Sequence, residues 1–276
     1  MVRPLSQEDL EGLAELMRWM DGEPSRGILA PEGRTPEELA LELSGSRAWV
    51  AEEEGRILGY VALEPFWEGG LLEGPILQKP IPELLEPPLR LARRERLFPL
   101  YAFPFEANRD VRRLLEEQGF APQHTTYFFG IDPHTVEAST LPGLELKDEL
   151  DPEVYREVYR ACEDWSLRLS WSDEELLEHF AEGAYLWLAY ERGQPVGLIE
   201  LEPFGEGYEI AYVGVIPQAR KRGIGRALIA QAAQKARALG ARLLRVRAHD
   251  HEKEAQALFR RLGFAELESV VTYTRD

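Results

Sequence analysis

The sequence has a single cysteine and no long hydrophobic run. Cys162 is the only cysteine among 276 residues, which excludes a disulfide framework and a cysteine-based metal site. No apolar stretch approaches the roughly 18 residues that a membrane-spanning helix needs. The polar, acidic start of the chain is unlike a signal peptide. We therefore expect a cytoplasmic protein with no membrane partner and no metal.

Positive charge is also scarce. The chain has 32 lysines and arginines against 49 aspartates and glutamates, a formal net charge of −17. Because nucleic-acid binding needs a basic footprint, we expect no nucleic-acid partner. The acidity suits a cationic substrate such as an amine, although the charge can equally serve solubility alone. The apolar content of 44% is sufficient for packed cores.

One pattern occurs twice along the chain. Residues 49–66 align without gaps with residues 187–204, and each segment predicts a β-hairpin around a Glu-Gly or Arg-Gly turn. The helix starts at Thr35 and Ser172 and the later Gly-Phe pairs repeat in the same order. We predict a tandem duplication with domains at residues 1–132 and 143–276. The order of strands and helices in each copy predicts an α/β fold, a twisted mixed sheet flanked by helices.

The most informative stretch lies in the second copy. An apolar strand pattern runs from Tyr208 and ends before Pro217, and an amphipathic helix pattern begins near Ile224. Between them the sequence reads Arg220-Lys221-Arg222-Gly223-Ile224-Gly225-Arg226. The glycines allow a sharp turn, and the start of a helix offers unpaired N–H groups and a positive dipole end. Four basic side chains strengthen the prediction of a phosphate site.

This stretch resembles the Arg/Gln-x-x-Gly-x-Gly/Ala loop of the GCN5-related N-acetyltransferases (GNAT). The preceding Val213-Gly214-Val215-x-Pro217 resembles the end of the family's fourth strand, and residues 255–264 resemble the helix and strand that follow. The resemblance implies that the loop amides hold the pyrophosphate of acetyl-CoA, the acyl donor. It also implies that the fourth and fifth strands separate to admit the pantetheine arm. The cofactor-binding residues implied are Val213, Gly214, Val215, Arg220, Lys221, Arg222, Gly223, Ile224, Gly225, Arg226 and Phe259.

The first copy lacks this loop. At the corresponding place it has Pro80-Ile-Pro82-Glu-Leu-Leu-Glu-Pro87-Pro88. Prolines carry no N–H group, and the two glutamates would repel a pyrophosphate. We predict that residues 1–132 bind no acetyl-CoA at this position and are a degenerate GNAT-like domain.

Acetyl transfer to an amine requires a neutral amine. An alkylamine titrates about 3 units above neutral pH, which corresponds to roughly 4 kcal/mol. Glu209 is the candidate base, because its strand face also carries Ala211 and Val213 and an apolar environment raises the pKa of a carboxyl. It also resembles the strand-4 glutamate of the family's histone-acetylating branch. The alternative is a solvated glutamate at the start of the strand.

Two further residues are candidates for proton transfer. His249 follows an apolar strand, and the resemblance places that strand end near the acetyl group; the alternative is a solvated turn. A metal site at His249-Asp250-His251 lacks a third ligand at suitable spacing. Many GNAT enzymes have a tyrosine where this chain has Phe259. Tyr212 is the candidate acid in its place, and the alternatives are another hydroxyl or a thiolate that leaves unassisted.

Acidic and aromatic residues occur where the family places its substrate-covering helices. Asp164, Trp165 and Trp171 suit a cationic amine through charge and cation–π contact, and the alternative is that the tryptophans belong to the core. We predict an N-acetyltransferase acting on a primary amine of a small molecule or peptide. A non-catalytic acetyl-CoA-binding regulator or scaffold is the alternative. The sequence leaves both a monomer and a homodimer open.

Overall fold

The computed structural model describes residues 1–162 and 167–276, with only the backbone at Leu167 and Arg168. The chain divides into two compact units. The first unit consists of residues 1–127, 249–251 and 268–276, and the second of residues 128–248 and 252–267. The fold is of the predicted α/β class, with mixed sheet and flanking helices.

The same series of elements occurs twice. The first series is β1 (Val2–Pro4), α1 (Leu10–Asp21), α2 (Pro36–Glu42), β2 (Arg47–Glu53), β3 (Arg56–Phe66), β4 (Gly69–Leu77), α3 (Glu86–Glu95), β5 (Leu100–Ala102), α4 (Arg109–Glu117) and β6 (Ala121–Ile131). The second is β7 (Leu144–Lys147), α5 (Pro152–Ala161), α6 (Asp173–Ala181), β8 (Tyr185–Glu191), β9 (Gln194–Phe204), β10 (Gly207–Val215), α7 (Ile224–Ala238), β11 (Leu244–His249), α8 (Lys253–Arg261) and β12 (Ala265–Arg275). This agreement in order supports the predicted duplication.

The local signals in the sequence explain several of these elements. The Thr35 hydroxyl accepts a hydrogen bond from the Glu38 N–H at the start of α2, and Ser172 accepts one from Glu175 at the start of α6. Both are capping boxes, which satisfy N–H groups that a helix leaves open. Gly55 and Gly193 turn the two predicted hairpins with positive φ angles of 78° and 77°. The predicted caps and hairpins are therefore confirmed.

In the first unit, the strands follow the order β1-β2-β3-β4-β5, and the C-terminal part of β12 lies beside β5. β4 and β5 are parallel and pair only at Gly70–Leu72. β12 pairs with β5 in antiparallel register, with Tyr273 opposite Ala102. The buried core of this unit includes Leu13, Met17, Tyr60, Leu63 and Tyr273.

In the second unit, the strands follow the order β11-β10-β9-β8-β7. Only the β10–β11 pair is parallel among the register-assigned pairs of these strands. Tyr155 and Tyr159 of α5 contact the side chain of Glu200 on one face of β9. On the other face, a side chain added at Gly197 would meet Leu228 of α7 at 3.4 Å. Helices therefore cover both faces of β9.

The units do not coincide with the domains predicted from the sequence. The end of β6, residues 128–131, belongs to the second unit, and the end of β12, residues 268–276, belongs to the first. The predicted boundaries at 132 and 143 mark where the repeat ends along the chain. The division into compact units instead splits β6 and β12, so that part of each strand belongs to either unit.

Candidate functional site

The glycine loop of the second unit joins β10 to α7. A short 3-10 turn, Pro217–Ala219, follows the strand, and Gly223 precedes the first residue of α7 with a φ of 87°. This left-handed conformation favours glycine because a Cβ would crowd the backbone. A Cβ on Gly225 would lie 3.3 Å from Leu258 of α8. The two glycines therefore permit both the turn and its close packing.

The backbone of this loop presents hydrogen-bond donors. Within the described ranges 1–162 and 167–276, no oxygen accepts a hydrogen bond from the N–H groups of residues 222–225. These groups lie at the positive end of the α7 dipole. Open N–H groups and a positive dipole end together form a site that fits the diphosphate of a nucleotide.

The basic side chains of the loop divide into two groups. Lys221, Arg222 and Arg226 are exposed, and each forms an ion pair with a glutamate. The partners are Glu254 of α8 at 3.0 Å, Glu191 of β8 at 2.7 Å and Glu137 at 3.0 Å, respectively. Exposed ion pairs contribute little to stability, so a phosphate can compete for these cations. Arg220 instead donates to the backbone carbonyls of Val215 and Cys162, at 3.0 and 3.2 Å. The Arg220 guanidinium thus stabilises the loop through these hydrogen bonds. This orientation does not support the predicted contact between Arg220 and a phosphate.

β10 and β11 separate along their length, as the family resemblance implied. They pair only from Tyr208 to Ile210, although β10 continues to Val215. A register shift on the β9 side falls between Ile210 and Tyr212. The Ile216 N–H donates to the Val196 carbonyl near the start of β9 at 3.0 Å, and the direction of successive N–H groups alternates along a strand. The N–H groups of Val213 and Val215 therefore face the unpaired side of β10.

In the first unit, the corresponding gap is filled by the chain itself. Residues 27–29 lie where the pairing of β4 with β5 ends. The Gly74 N–H of β4 donates to the Leu29 carbonyl at 2.8 Å, and the Phe105 N–H after β5 donates to the Gly27 carbonyl at 3.0 Å. Ile28 also forms a backbone bridge with Pro104. This segment occupies the gap as a short extra strand.

Two other features distinguish the first unit. A 3-10 turn, Pro82–Leu85, leads directly into α3, so the unit has no glycine loop before that helix. Pro75 is the seventh residue of β4, where β10 has Val213, and proline has no N–H to offer. These features support the prediction that the first copy binds no acetyl-CoA in this position.

The surroundings of Glu209 differ from those predicted. Its carboxylate is 12% exposed and lies 3.4 Å from Arg245 Nε and 3.6 Å from Arg247 on β11. The prediction of apolar surroundings is therefore wrong, because strand pairing places two guanidinium groups beside this carboxylate. The catalytic role of Glu209 stays a prediction.

Tyr212 belongs to a group of polar side chains that the sequence analysis missed. Glu200 is fully buried, and its Oε1 accepts hydrogen bonds of 2.8 Å from the hydroxyls of both Tyr155 and Tyr159. The Tyr159 ring stacks on the Tyr212 ring at 4.1 Å between centroids. The sequence contained a sign of this group: Glu200 interrupts an apolar strand at the position where the first copy has Ala62.

His249 lies in the first unit rather than with the glycine loop. Its Nδ1 is 2.9 Å from the Thr126 hydroxyl, and its ring lies 4.7 Å from that of His124 and 5.6 Å from that of His251. Among the residues that the structure describes, no group of His, Cys, Asp or Glu could hold a metal ion. The predicted role of His249 as a base gains no support from this placement.

The last predicted site residues are Phe259, expected to contact the cofactor, and three residues expected to bind the substrate. Phe259 is 1% exposed and contacts the rings of Phe129 and Phe264, so the structure favours a core residue over a cofactor contact. Trp171 is half-buried and packs against His179 at 5.3 Å, in line with the core alternative. Asp164 and Trp165 lie outside the described residues. None of the described helices is long and apolar enough to cross a membrane.

Comparison with known families gives a match in the second half of the chain. The profile of the acetyltransferase (GNAT) family matches residues 148–264. This range contains the glycine loop, β10 and its separation from β11. A search of curated protein sequences finds no match.

Solved structures resemble the chain over its whole length. A GCN5-related N-acetyltransferase from Sphaerobacter thermophilus has a TM-score of 0.72 and 18% identity, covering 100% of this chain and 95% of that one. A tandem GNAT protein of the clavulanic acid biosynthesis pathway, solved without AcCoA, has a TM-score of 0.65 and 15% identity, with coverages of 100% and 98%. A glucosamine N-acetyltransferase region of a fungal GH3 β-N-acetylglucosaminidase has a TM-score of 0.70 and 14% identity, with coverages of 100% and 38%. These likenesses confirm a GNAT-like fold along the entire chain.

Proposed function

We propose that the chain is an N-acetyltransferase, because residues 148–264 match the model of the acetyltransferase (GNAT) family. The reaction moves an acetyl group from acetyl-CoA to a primary amine of a small molecule or peptide. The observation that carries this proposal is the combination of open N–H groups at residues 222–225 with a strand gap at Val213 and Val215 in the same unit. The single, buried cysteine is compatible with the cytoplasm, where we place the protein.

Different residues of the second unit would bind different parts of acetyl-CoA. The N–H groups of Gly223, Ile224 and Gly225 would bind the diphosphate, and Lys221, Arg222 and Arg226 would add positive charge. The N–H groups of Val213 and Val215 would pair with the pantetheine arm. When bound, the donor supplies a thioester, and the chain contributes position and charge.

The acceptor amine must lose a proton. Glu209 remains the proposed base, and Arg245 and Arg247 lie beside its carboxylate. Tyr212, whose ring stacks on Tyr159, is the proposed hydroxyl near the leaving thiolate. Substitution Glu209→Gln tests the base. We propose that the protein acts without nucleic acid, metal or membrane.

A non-catalytic acetyl-CoA-binding regulator is the second candidate. Phe259 favours it, because this residue is buried and has no hydroxyl where many GNAT enzymes have a tyrosine. Measuring the release of CoA from acetyl-CoA against a panel of amines separates the two candidates. Binding without release supports the regulator, and release that depends on an amine supports the enzyme.

Gly223→Ala tests the site itself. Alanine at a φ of 87° is strained, so the loop must shift and its N–H groups lose their alignment. We expect acetyl-CoA affinity to fall by about tenfold or more, the order of one lost hydrogen bond to a charged group. Titration calorimetry measures this loss.

Gly240→Ala is the matched control. Gly240 lies just beyond the other end of α7, also with a left-handed φ of 79°, and a Cβ there would meet no atom within 4 Å. Both variants should lose similar stability in thermal unfolding, while Gly240→Ala keeps the wild-type affinity. Equal affinities in all three proteins would refute the proposed donor site.

A further inference from the structure

Glu200 is a buried carboxylate in the middle of β9. Its side chain is 0% exposed, and its Oε1 accepts 2.8 Å hydrogen bonds from two tyrosines of α5, Tyr155 and Tyr159. These tyrosines are also buried, at 0% and 2% exposed. The two hydroxyls therefore hold the buried carboxylate in place by hydrogen bonds.

The first copy shows that the fold does not need this carboxylate. Ala62 of β3 is aligned with Glu200 of β9, and it is also 0% exposed. The same strand therefore packs in the first unit around a methyl group. The carboxylate occurs only in the copy that has the glycine loop, so we connect it with the function of that copy.

A continuous set of contacts leads from Glu200 to the open edge of β10. Tyr212 is directly opposite Glu200 in the β9–β10 pairing and follows the register shift. Its ring stacks on Tyr159 at 4.1 Å with an interplanar angle of 23°. A Cβ on Gly214 would lie 2.8 Å from the Tyr212 hydroxyl oxygen and 2.9 Å from Cys162 Sγ. The hydroxyl thus lies over Gly214, between the two residues whose N–H groups face the strand gap.

We propose that Glu200 is a positioning residue for Tyr212. Its carboxylate fixes the hydroxyl of Tyr159, and the Tyr159 ring in turn holds the Tyr212 ring over Gly214. Tyr155 supplies the second hydrogen bond that keeps the carboxylate in one orientation. This inference rests on the proposed acetyl transfer, and it assigns to Glu200 an effect on turnover rather than on binding of the donor.

The test compares four single variants and one double variant in the full-length protein. Glu200→Ala removes the carboxylate, and Glu200→Gln keeps an oxygen that can accept from the two hydroxyls. Tyr159→Phe keeps the stacked ring and removes only the hydroxyl. Glu202→Gln is the matched control, because Glu202 lies two residues further along β9, on the same face, and bonds to His179 at 3.1 Å. Each is assayed for CoA release with acetyl-CoA and the best amine of the panel.

We expect Glu200→Ala to lower kcat by about tenfold to a hundredfold, the range for a misplaced catalytic group. Its KM for acetyl-CoA should stay within about twofold of wild type, since no donor contact is lost. Glu200→Gln should recover most of the activity, and Glu202→Gln should match wild type. The double variant Glu200→Ala/Tyr159→Phe should be no worse than Glu200→Ala, because both changes break one set of contacts.

A structural role alone would give another pattern. In that case Glu200→Ala and Tyr159→Phe lower the melting temperature, kcat of the folded protein is unchanged, and the inference is overturned. If Glu200→Ala does not fold, Tyr159→Phe and Glu200→Gln decide the question by the same kcat comparison. Wild-type protein that releases no CoA with any amine overturns the proposed function, and this inference with it. Normal wild-type turnover with unaffected variants overturns the inference alone.

Discussion

At the scale of single residues, environment decides which carboxylates carry charge. Glu73 on β4 accepts a hydrogen bond from the Tyr60 hydroxyl at 3.2 Å. Burial raises its pKa above the ordinary 4.5, and the nearby Glu42 and Glu64 raise it further, while the Tyr60 hydrogen bond lowers it. Glu209 differs, because two arginines lie beside it. Neighbours from distant parts of the chain thus give two strand glutamates opposite surroundings.

The raised pKa of Glu73 predicts a pH-dependent stability. Below the ordinary pKa of 4.5, Glu73 is protonated in both folded and unfolded chains. As the pH rises above that value the unfolded chain releases the proton first, so the folded state loses stability until the folded pKa is passed. We expect Glu73→Gln to raise the melting temperature at pH 8 and to change it much less at pH 4.

The control for this experiment is Glu68→Gln in the adjacent, exposed β3–β4 turn. This variant should show no comparable difference between the two pH values. A Glu73→Gln protein that is less stable than wild type at pH 8 would show that the carboxylate is charged and paired in the folded state. Thermal unfolding followed by circular dichroism measures both variants.

At the scale of elements, the two copies differ in the gap that opens between two parallel strands, β4 and β5 in the first copy and β10 and β11 in the second. β4 and β5 pair over three residues, as do β10 and β11. In the first unit, residues 27–29 complete the gap with backbone hydrogen bonds of 2.8 to 3.2 Å. In the second unit, the N–H groups of Val213 and Val215 face it. The same fold therefore has a filled gap in the first unit and, in the second unit, a gap lined by N–H hydrogen-bond donors.

Hydrogen exchange should report this difference directly. In the free protein, the Gly74 and Phe105 amides should exchange slowly because both donate to residues 27–29. The Val213 and Val215 amides should exchange quickly and become protected when acetyl-CoA is added. Exchange followed by NMR or mass spectrometry measures both pairs. Slow exchange at Val213 and Val215 without ligand would show that their N–H groups already have acceptors.

At the scale of the whole molecule, the residues that the structure describes contain one candidate donor site, which lies in the second unit. The first unit lacks the glycine loop, has Pro75 in place of Val213 and fills its gap with its own chain. The second unit has the loop and the donors. We infer that the first copy has kept the fold and lost the site.

Titration with acetyl-CoA should therefore give one binding site per chain. Calorimetry at a protein concentration well above the dissociation constant measures the stoichiometry. Gly223→Ala should weaken that site and reveal no second one. Two sites per chain would show that residues 27–29 leave the first unit and would contradict the filled gap.

The sequence by itself determined the local features of this protein. The Gly223 and Gly225 loop, the capping boxes at Thr35 and Ser172, the repeated hairpins and the α/β class all follow from residues close together in the chain. Such features depend on backbone conformation and on the period of apolar residues, which a short window of sequence contains.

Only the tertiary structure decided which distant residues meet. It placed two arginines of β11 beside Glu209, two tyrosines of α5 on Glu200, and residues 27–29 in the gap between β4 and β5. It also assigned the end of β12 to the first unit and the end of β6 to the second. Strand register and helix packing bring these groups together over many intervening residues, and no local pattern records such contacts.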